Sequence, residues 1–245
     1  MMMRSINNVE ALVLASRSRG RNCRQLEIFS YQQGRLLVTA NINYRHGVVT
    51  AAALQPFTRA IFTLTDSTGG FSFIRQAEII DSNQWLRSGE LLRSAYACQL
   101  SEFIINMWPL RQPDAKAWEI LTEGWRVMTE RNPRIVALAA GWQLMAVAGY
   151  QPDLNYCCFC GKMALAGSFM ISKSALVCSE CRENSIGEEQ AVVLIDQLIK
   201  LNWRQIPAIR LSQSAVAISE QWLADYYRQL TGCELLTSKY IVAIN

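Results

Sequence analysis

"RQLEIFSYQQGRLLVTA", from Arg24 to Ala40, is the stretch that decides the fold of the first third of the chain. Apolar and polar side chains alternate within "QLEIF", and "RLLVTA" is a short, mostly apolar run; both patterns are typical of β-strands. Gln33 and Gly34 lie between the two runs and form a turn signal, because glycine adopts positive φ angles at no steric cost. The stretch therefore predicts a β-hairpin.

Three more strand-like runs flank this hairpin. "EALVLASR" (10–17) precedes it, and "RAIFTLTD" (59–66) and "FSFIRQAEII" (71–80) come after it, with turn signals at 19–22 and 68–70. Five short antiparallel strands in one compact region are typical of a small barrel. The OB-fold is the natural candidate, and it is a common platform for nucleic acids.

After Asp81 the apolar period changes to that of helices. Ser82 is predicted to begin a helix that runs to Trp108, Asp114 to cap a second, and Asn132, followed by Pro133, to cap a third. Two further helices are expected at 187–203 and 212–230. The uncharged stretch 135–152 contains two glycines and a proline, so we interpret it as a buried helix rather than a membrane span.

The predicted fold class is α+β with several domains. An N-terminal five-stranded OB-fold barrel is followed by a helical domain, into which a four-cysteine, zinc-ribbon-like module is inserted. The predicted division is residues 1–80 for the barrel, 81–150 and 187–245 for the two parts of the helical domain, and 151–186 for the zinc module.

Cysteine spacing predicts that module. Five of the eight cysteines lie in "NYCCFCGKMALAGSFMISKSALVCSEC", from Asn155 to Cys181. Cys157 and Cys160 form one C-x-x-C pair and Cys178 and Cys181 another, a spacing that matches a structural zinc site. Four thiolates complete a tetrahedron, so the ion would stabilise the segment rather than catalyse a reaction. A disulfide pair and a metal-free segment remain alternatives, and Cys158 competes with Cys157 as a ligand.

Positive charge is concentrated at the N-terminus. The chain of 245 residues carries a formal net charge of +4, while residues 1–80 contain nine arginines, no lysine and four acids, a net of +5. Arginine suits bidentate contact with phosphates. "SRSRGRNCR" (16–24) is the predicted loop between the first two strands and a candidate DNA contact; a solvated charged turn is the alternative. The predicted DNA-binding residues are Arg17, Arg19, Arg21, Arg24, Arg35, Tyr44 and Arg45.

The sequence contains little that points to catalysis. His46 is the single histidine, and it lies beside Arg45 in a polar stretch. The sequence contains neither a P-loop motif nor a dinucleotide-binding glycine motif. We therefore expect a protein that is not an enzyme.

A further basic and aromatic region lies beyond the start of the second predicted helix. Trp118 and Trp125 have helical spacing, which is more typical of a core, and basic side chains come after them. Surfaces of this kind bind acidic-hydrophobic tails of partner proteins. The candidate tail-binding residues are Arg126, Arg131 and Arg134.

In this order, the motifs resemble the RecO family of bacterial recombination mediators. They are "EALVLASRSRG", "LEIFSYQQGRLLV", "ALQPF" (53–57), "AGYQPDLNYCCFCG", "CSEC" and "LTSKYIV", and they cover essentially the whole chain. The resemblance implies an OB-fold, a helical domain and a structural Zn²⁺ module. It also implies binding to single- and double-stranded DNA, annealing of complementary strands, and loading of RecA onto DNA covered by single-strand-binding protein.

The resemblance further implies partners and a location. The partners would be RecR and the acidic C-terminal tail of single-strand-binding protein, with no membrane, and the location would be cytoplasmic and nucleoid-associated. The chain departs from the family after the third strand, where a Lys/Arg-rich loop is usual but only Arg45 and His46 are basic. Two other functions stay open: a protein-interaction scaffold with little direct DNA binding, and a thiol-redox protein.

Overall fold

The computed structural model describes residues 4–41, 49–66, 72–88, 90–164, 167–183, 187–203 and 212–244. The chain divides into two compact units, residues 1–119 and 120–245.

The first unit contains a closed five-stranded barrel, as predicted. The strands have the order β1-β2-β3-β5-β4 around it, and every pair is antiparallel except β3 with β5. Its first strand begins earlier in the chain than expected. The strands are β1 (Arg4–Ser18), β2 (Cys23–Ser30), β3 (Gly34–Asn41), β4 (Arg59–Asp66) and β5 (Ser72–Asp81).

The predicted hairpin is the β2–β3 pair. Leu26 and Ile28 on β2 and Leu36 and Val38 on β3 are buried in the barrel core, as their alternation requires. Gly34 begins β3 with φ +67°, and a Cβ atom at this position would lie 2.2 Å from the backbone oxygen of Gln112. Glycine is therefore required here by both its dihedral angle and its surroundings.

The predicted single helix from Ser82 to Trp108 is wrong, because two helices occupy this region. Helix α1 spans Gln84–Ser88 and α2 spans Leu91–Met107. Glu90 lies before α2 with extended backbone angles, φ −60° and ψ 135°, so the helical hydrogen-bond pattern begins anew after it.

Both other predicted helix caps are confirmed. Asp114 precedes α3 (Ala115–Val127), and its Oδ1 accepts hydrogen bonds from the backbone N–H groups of Lys116 and Ala117 at 3.0 and 2.9 Å. Asn132 caps α4 (Pro133–Met145) by accepting from the N–H of Arg134 at 3.0 Å. These side chains satisfy N–H groups that the first helical turn leaves unpaired.

Helix α4 is the central element of the second unit. Every side chain from Val136 to Met145 is buried, as expected for the uncharged stretch, and the chain leaves the helix at Gly149 with φ +92°. Gln143 donates to the carbonyls of Leu198 and Leu201 and accepts from Trp203 Nε1, so its buried amide is fully paired. None of the helices within the described ranges reaches the length and apolar character of a membrane span.

Three further helices complete this unit: α5 (Glu188–Ile199), α6 (Gln213–Thr231) and α7 (Leu236–Ile244). Between α4 and α5 lies a three-stranded sheet that is anchored by Phe169. The Phe169 ring meets Trp142, Tyr226 and Trp222 edge-on at centroid distances of 5.9, 5.4 and 5.9 Å. Aromatic contacts of this kind stabilise beyond the area they bury, so the small sheet is fixed to the helical core.

Candidate functional site

The four-cysteine cluster is built on the small sheet. Its strands are β6 (Asp153–Cys157), β7 (Ser168–Met170) and β8 (Ala175–Val177), in the order β6-β8-β7. Because β6 and β8 are parallel, their carboxyl ends lie at the same edge. Cys157 ends β6 and Cys178 comes directly after β8, so one cysteine of each C-x-x-C pair reaches that edge.

All four sulfurs of the predicted pairs converge. The Sγ atoms of Cys157, Cys160, Cys178 and Cys181 lie within 4.8 Å of one another, and those of Cys160 and Cys178 are 3.8 Å apart. Four thiolates that each lie about 2.3 Å from one zinc ion would be about 3.8 Å apart, so the donor set fits tetrahedral zinc. Cys158 stands outside this group, and its backbone N–H donates to the Leu176 carbonyl at 2.8 Å.

Backbone geometry shapes the two knuckles that carry these cysteines. Gly161 has φ +69° and donates its N–H to the Cys157 carbonyl at 2.9 Å, which closes the first turn. The N–H of Cys178 points at the sulfur of Cys157, with 3.4 Å between N and Sγ. In the second knuckle the N–H of Cys181 donates to the Cys178 carbonyl at 3.1 Å. N–H groups directed at sulfur stabilise negative charge on it.

The four thiols consequently differ in acidity. Hydrogen bonds from the backbone N–H groups of Cys160 and Cys178 lower the pKa of Cys157 to about 6. Side-chain hydrogen bonds with Cys178 and Cys160 raise the pKa of Cys181 to about 12. In the metal-free protein, therefore, the cluster holds negative charge on Cys157 and retains a proton on Cys181 at neutral pH.

The β1–β2 connection presents the predicted basic loop. We call residues 16–24 the arginine hairpin; no acidic residue lies between Glu10 and Glu27. Arg17, Arg19 and Arg21 are exposed, and Arg19 donates to Gln25 Oε1 through Nε and Nη2 at 2.8 and 2.6 Å.

The other members of the hairpin differ in their pairing. The guanidinium groups of Arg17 and Arg21 make no hydrogen bond or ion pair with any residue that the structure describes. Arg24 is half-buried and donates to Ser16 Oγ at 3.3 Å. The hairpin thus groups four of the seven predicted DNA-binding residues, and two of them, Arg17 and Arg21, are exposed.

Arg35 lies in different surroundings. Its Nη1 is 2.8 Å from Glu27 Oε2, and both side chains are only 18% exposed. The register of the β2–β3 hairpin explains this pair, because it places Arg35 opposite Phe29 and hence diagonal to Glu27. Tyr44 and Arg45, the last two predicted contacts, and His46 lie outside the described residues.

The candidate tail-binding arginines belong to the second unit. Arg126 pairs with Glu123 at 2.8 Å, and Arg131 is exposed. Arg134 donates two hydrogen bonds to Glu220 of α6, from Nε to Oε1 at 2.7 Å and from Nη2 to Oε2 at 2.5 Å, which is a bidentate contact. Trp118 and Trp125, the aromatic residues of the same sequence region, are buried, which agrees with a core role.

Comparison with known proteins decides the family. A model described as "Recombination protein O N terminal" matches residues 3–83, and one described as "Recombination protein O C terminal" matches residues 88–238. The chain belongs to the recombination protein O family. The resemblance expected from the order of the sequence motifs is therefore confirmed.

Relatives in this family match over nearly the full chain. The DNA repair protein RecO of Exiguobacterium sibiricum is 24% identical over 244 residues, which cover 96% of each protein. The DNA repair protein RecO of Bacillus subtilis is 21% identical over 241 residues, 96% of this chain and 94% of that protein. A shorter match, to the DNA repair protein RecO of Pelotomaculum thermopropionicum, is 28% identical over 174 residues, 70% of this chain and 67% of that protein.

Proposed function

We propose that this chain is a non-enzymatic, DNA-binding recombination mediator in DNA repair. It binds single- and double-stranded DNA, anneals complementary strands and helps to load RecA onto DNA covered by single-strand-binding protein. Membership of the recombination protein O family supports the repair role, since its relatives are named DNA repair proteins. The proposal includes a cytoplasmic, nucleoid-associated location, because the DNA substrate lies there.

The arginine hairpin is the observation that carries this proposal. A barrel of OB type presents three exposed arginines at the end of β1 and in the turn that follows it. The sequence has no acidic residue between Glu10 and Glu27. Guanidinium groups match phosphate oxygens in charge and geometry, and each phosphate contact releases a counterion from DNA. Arg17, Arg19, Arg21 and Arg24 form the proposed contact, and Tyr44 and Arg45 extend it. Arg35 contributes least, because Glu27 already neutralises it.

The cysteine cluster serves this function structurally. Cys157, Cys160, Cys178 and Cys181 would hold Zn²⁺ with four thiolates, which leaves no open position for a substrate. The ion would supply cross-linking of the two knuckles and no reaction step. We retain the division into a barrel (1–80), a helical domain (81–150 and 187–245) and a zinc module (151–186) as part of the proposal.

The partners in this proposal are RecR and the acidic C-terminal tail of single-strand-binding protein. Arg126, Arg131 and Arg134 would meet that tail, and Glu220 would compete with it for Arg134. Glu220→Gln should therefore strengthen binding of an acidic tail peptide, and Arg134→Gln should weaken it, both measured by peptide fluorescence anisotropy. Equal affinity in both variants would exclude Arg134 from the tail site.

DNA binding tests the central claim. We would measure fluorescence anisotropy of labelled single-stranded and duplex DNA over a salt series, with wild type beside the triple variant Arg17→Glu/Arg19→Glu/Arg21→Glu. The wild type should bind with an affinity that falls steeply with salt, and the variant should lose most of it. Three lost phosphate contacts should reduce the slope of log K against log salt by about 2–3 on duplex DNA.

A matched variant controls for net charge. Lys116, Lys173 and Lys200 are also exposed and are not part of residues 16–24, and their simultaneous change to Glu alters the net charge by the same amount. This control should keep the wild-type slope. Equal losses in both triple variants would show only a general charge effect and would contradict the hairpin site.

The alternative function is a protein-interaction scaffold with little direct DNA binding. Two observations favour it: the loop after β3 has only Arg45 and His46 as basic residues, and Glu27 neutralises Arg35. A scaffold predicts that wild type and triple variant bind DNA equally weakly at all salt concentrations, whereas both still bind RecR.

A further inference from the structure

The turn formed by "ALQPF", Ala53–Phe57, has a strained backbone. Phe57 has φ +70°, a conformation that bulky L-residues rarely adopt, and its side chain is buried. Leu54 and the adjacent Thr58 are also buried. A residue persists in such a conformation only where its surroundings fix it.

This turn holds the first strand at the point where that strand leaves β4. The last β1–β4 pair joins Leu12 to Arg59. Beyond it, the N–H of Val13 donates to the Thr58 carbonyl at 2.9 Å, and the N–H of Phe57 donates to the Val13 carbonyl at 2.8 Å. After Val13, the residues of β1 make backbone hydrogen bonds only with β2, among the residues that the structure describes.

A β-bulge begins at the same residue. The β1–β2 register shifts between Val13 and Ala15, so Leu14 has no opposite partner. A bulge bends its strand and increases the local twist, and thereby sets the direction of the strand beyond it. Beyond this bulge, β1 and β2 lead into the arginine hairpin (16–24), so the bulge sets the direction of the hairpin.

Two side chains, those of Asn83 and Arg87, hydrogen-bond to backbone carbonyls of the turn. Asn83 Nδ2 donates to the Phe57 carbonyl at 2.8 Å. Arg87 Nη1 donates to the Pro56 carbonyl at 2.9 Å and to the Ser82 carbonyl at 2.7 Å, with Thr58 Oγ1 at 3.5 Å. A single nitrogen thus joins the turn to the segment that leads into α1.

We infer that Asn83 and Arg87 are positioning residues for DNA binding: through the strained Phe57 and the two bonds to Val13, they hold the β1 bulge that aims the arginine hairpin. The inference rests on the proposed DNA contact of the hairpin and adds what directs it. Several arginines reach successive phosphates together only when their common support has a defined direction. Loosening the turn therefore removes phosphate contacts without removing any arginine of the hairpin.

Asn83→Gly is the sharpest test. Asn83 itself has φ +43°, which glycine tolerates, so the substitution removes the bond to Phe57 without a backbone penalty or a change of charge. The slope of log K against log salt for duplex DNA should fall by about 1–2, since each lost phosphate contact contributes about 0.9. The thermal melting curve should still show a folded protein at the assay temperature.

Arg87 provides a second test, in which a conservative variant should restore the function that a neutral variant loses. Arg87→Met should reduce the slope as Asn83→Gly does, and Arg87→Lys should restore much of it, because one ammonium can replace the single nitrogen that makes the contacts. Hydrogen exchange offers a local check: the Val13 and Phe57 amides should exchange faster in Asn83→Gly, while the β2–β3 amides keep their protection.

The outcomes separate this inference from the proposed function. A reduced slope in Asn83→Gly and Arg87→Met, with rescue in Arg87→Lys, supports the positioning role. A wild-type slope in a folded Asn83→Gly protein overturns it, as does weaker binding at unchanged slope, which reports only fewer folded molecules. If the triple arginine variant itself binds normally, the proposed DNA contact fails, and the positioning role fails with it.

Discussion

At the scale of single residues, backbone geometry makes chemically identical thiols different. The N–H groups that point at Cys157 lower its pKa to about 6, whereas neighbouring thiols raise the pKa of Cys181 to about 12. In the metal-free protein the Cys157 contribution to stability is present above the ordinary thiol pKa, about 8.5, and is lost as the pH falls through about 6. The Cys181 contribution is present below about 8.5 and is lost as the pH rises toward 12.

Proton release on zinc binding is expected from these values. Zinc binds thiolates, so at pH 7 the addition of Zn²⁺ to metal-free protein should expel at least the proton of Cys181. Isothermal titration calorimetry in two buffers of different ionisation enthalpy measures the number released. Cys181→Ser should reduce that number, and Cys158→Ser, outside the cluster, should leave it unchanged. Binding without proton release would contradict the thiol assignment.

At the scale of elements, the β2–β3 hairpin depends on a close backbone approach that no local pattern reveals. Gln33 and Gly34 predict a turn from sequence alone, but the steric need for glycine comes from Gln112, far along the chain. The segment before α3 also donates a hydrogen bond from the Arg111 N–H to the Arg35 carbonyl at 2.8 Å. The hairpin is therefore fixed both by its own turn and by a distant segment.

Gly34→Ala should destabilise the barrel strongly. The positive φ costs about 1–2 kcal/mol for alanine, and the clash with the Gln112 backbone adds about 1–3 kcal/mol. Gly232→Ala is the matched control, since Gly232 has φ +71° with no atom within 4 Å of its Cβ position, and only the first cost applies. Urea unfolding monitored by circular dichroism measures both. Equal losses would mean that the segment at Gln112 moves aside.

At the scale of the whole molecule, the chain contains two compact units that are stabilised by different kinds of packing. The barrel has its own continuous apolar core, and the second unit relies on aromatic packing of Phe169 against the helices. The cysteine cluster lies at one edge of the small sheet that carries Phe169. If the cluster binds Zn²⁺ as proposed, we expect the ion to stabilise the second unit.

Zinc removal should affect the two units unequally. A chelator should speed hydrogen exchange in β6–β8 and lower the melting temperature of the second unit, because folding of small metal modules is coupled to metal binding. Barrel amides in β2 and β3 should keep their protection. Cys157→Ser, already unable to complete the site, should show no further change on chelation. Uniform loss of protection in both units would contradict this division.

Much of the fold is predictable from local patterns in the sequence. Two strand-like runs around a short turn that contains glycine predicted the hairpin. Asp114 and Asn132 predicted two helix starts, because capping is chemistry between near neighbours. The single helix from Ser82 was a wrong prediction, since apolar spacing alone does not reveal the extended backbone at Glu90. The two C-x-x-C pairs predicted the cluster, and the structure selects Cys157 over Cys158 because only its sulfur meets the other three.

The sequence by itself determined the barrel, the principal helices and the four-cysteine cluster, because each is specified by periodicity or by spacing within a short segment. Only the tertiary structure decided which arginines are available to a ligand: Glu27 neutralises Arg35 and Glu220 grips Arg134, whereas Arg17 and Arg21 remain solvated. The physical reason is that a charge is neutralised by whichever opposite charge the packing brings near, whatever their separation along the chain.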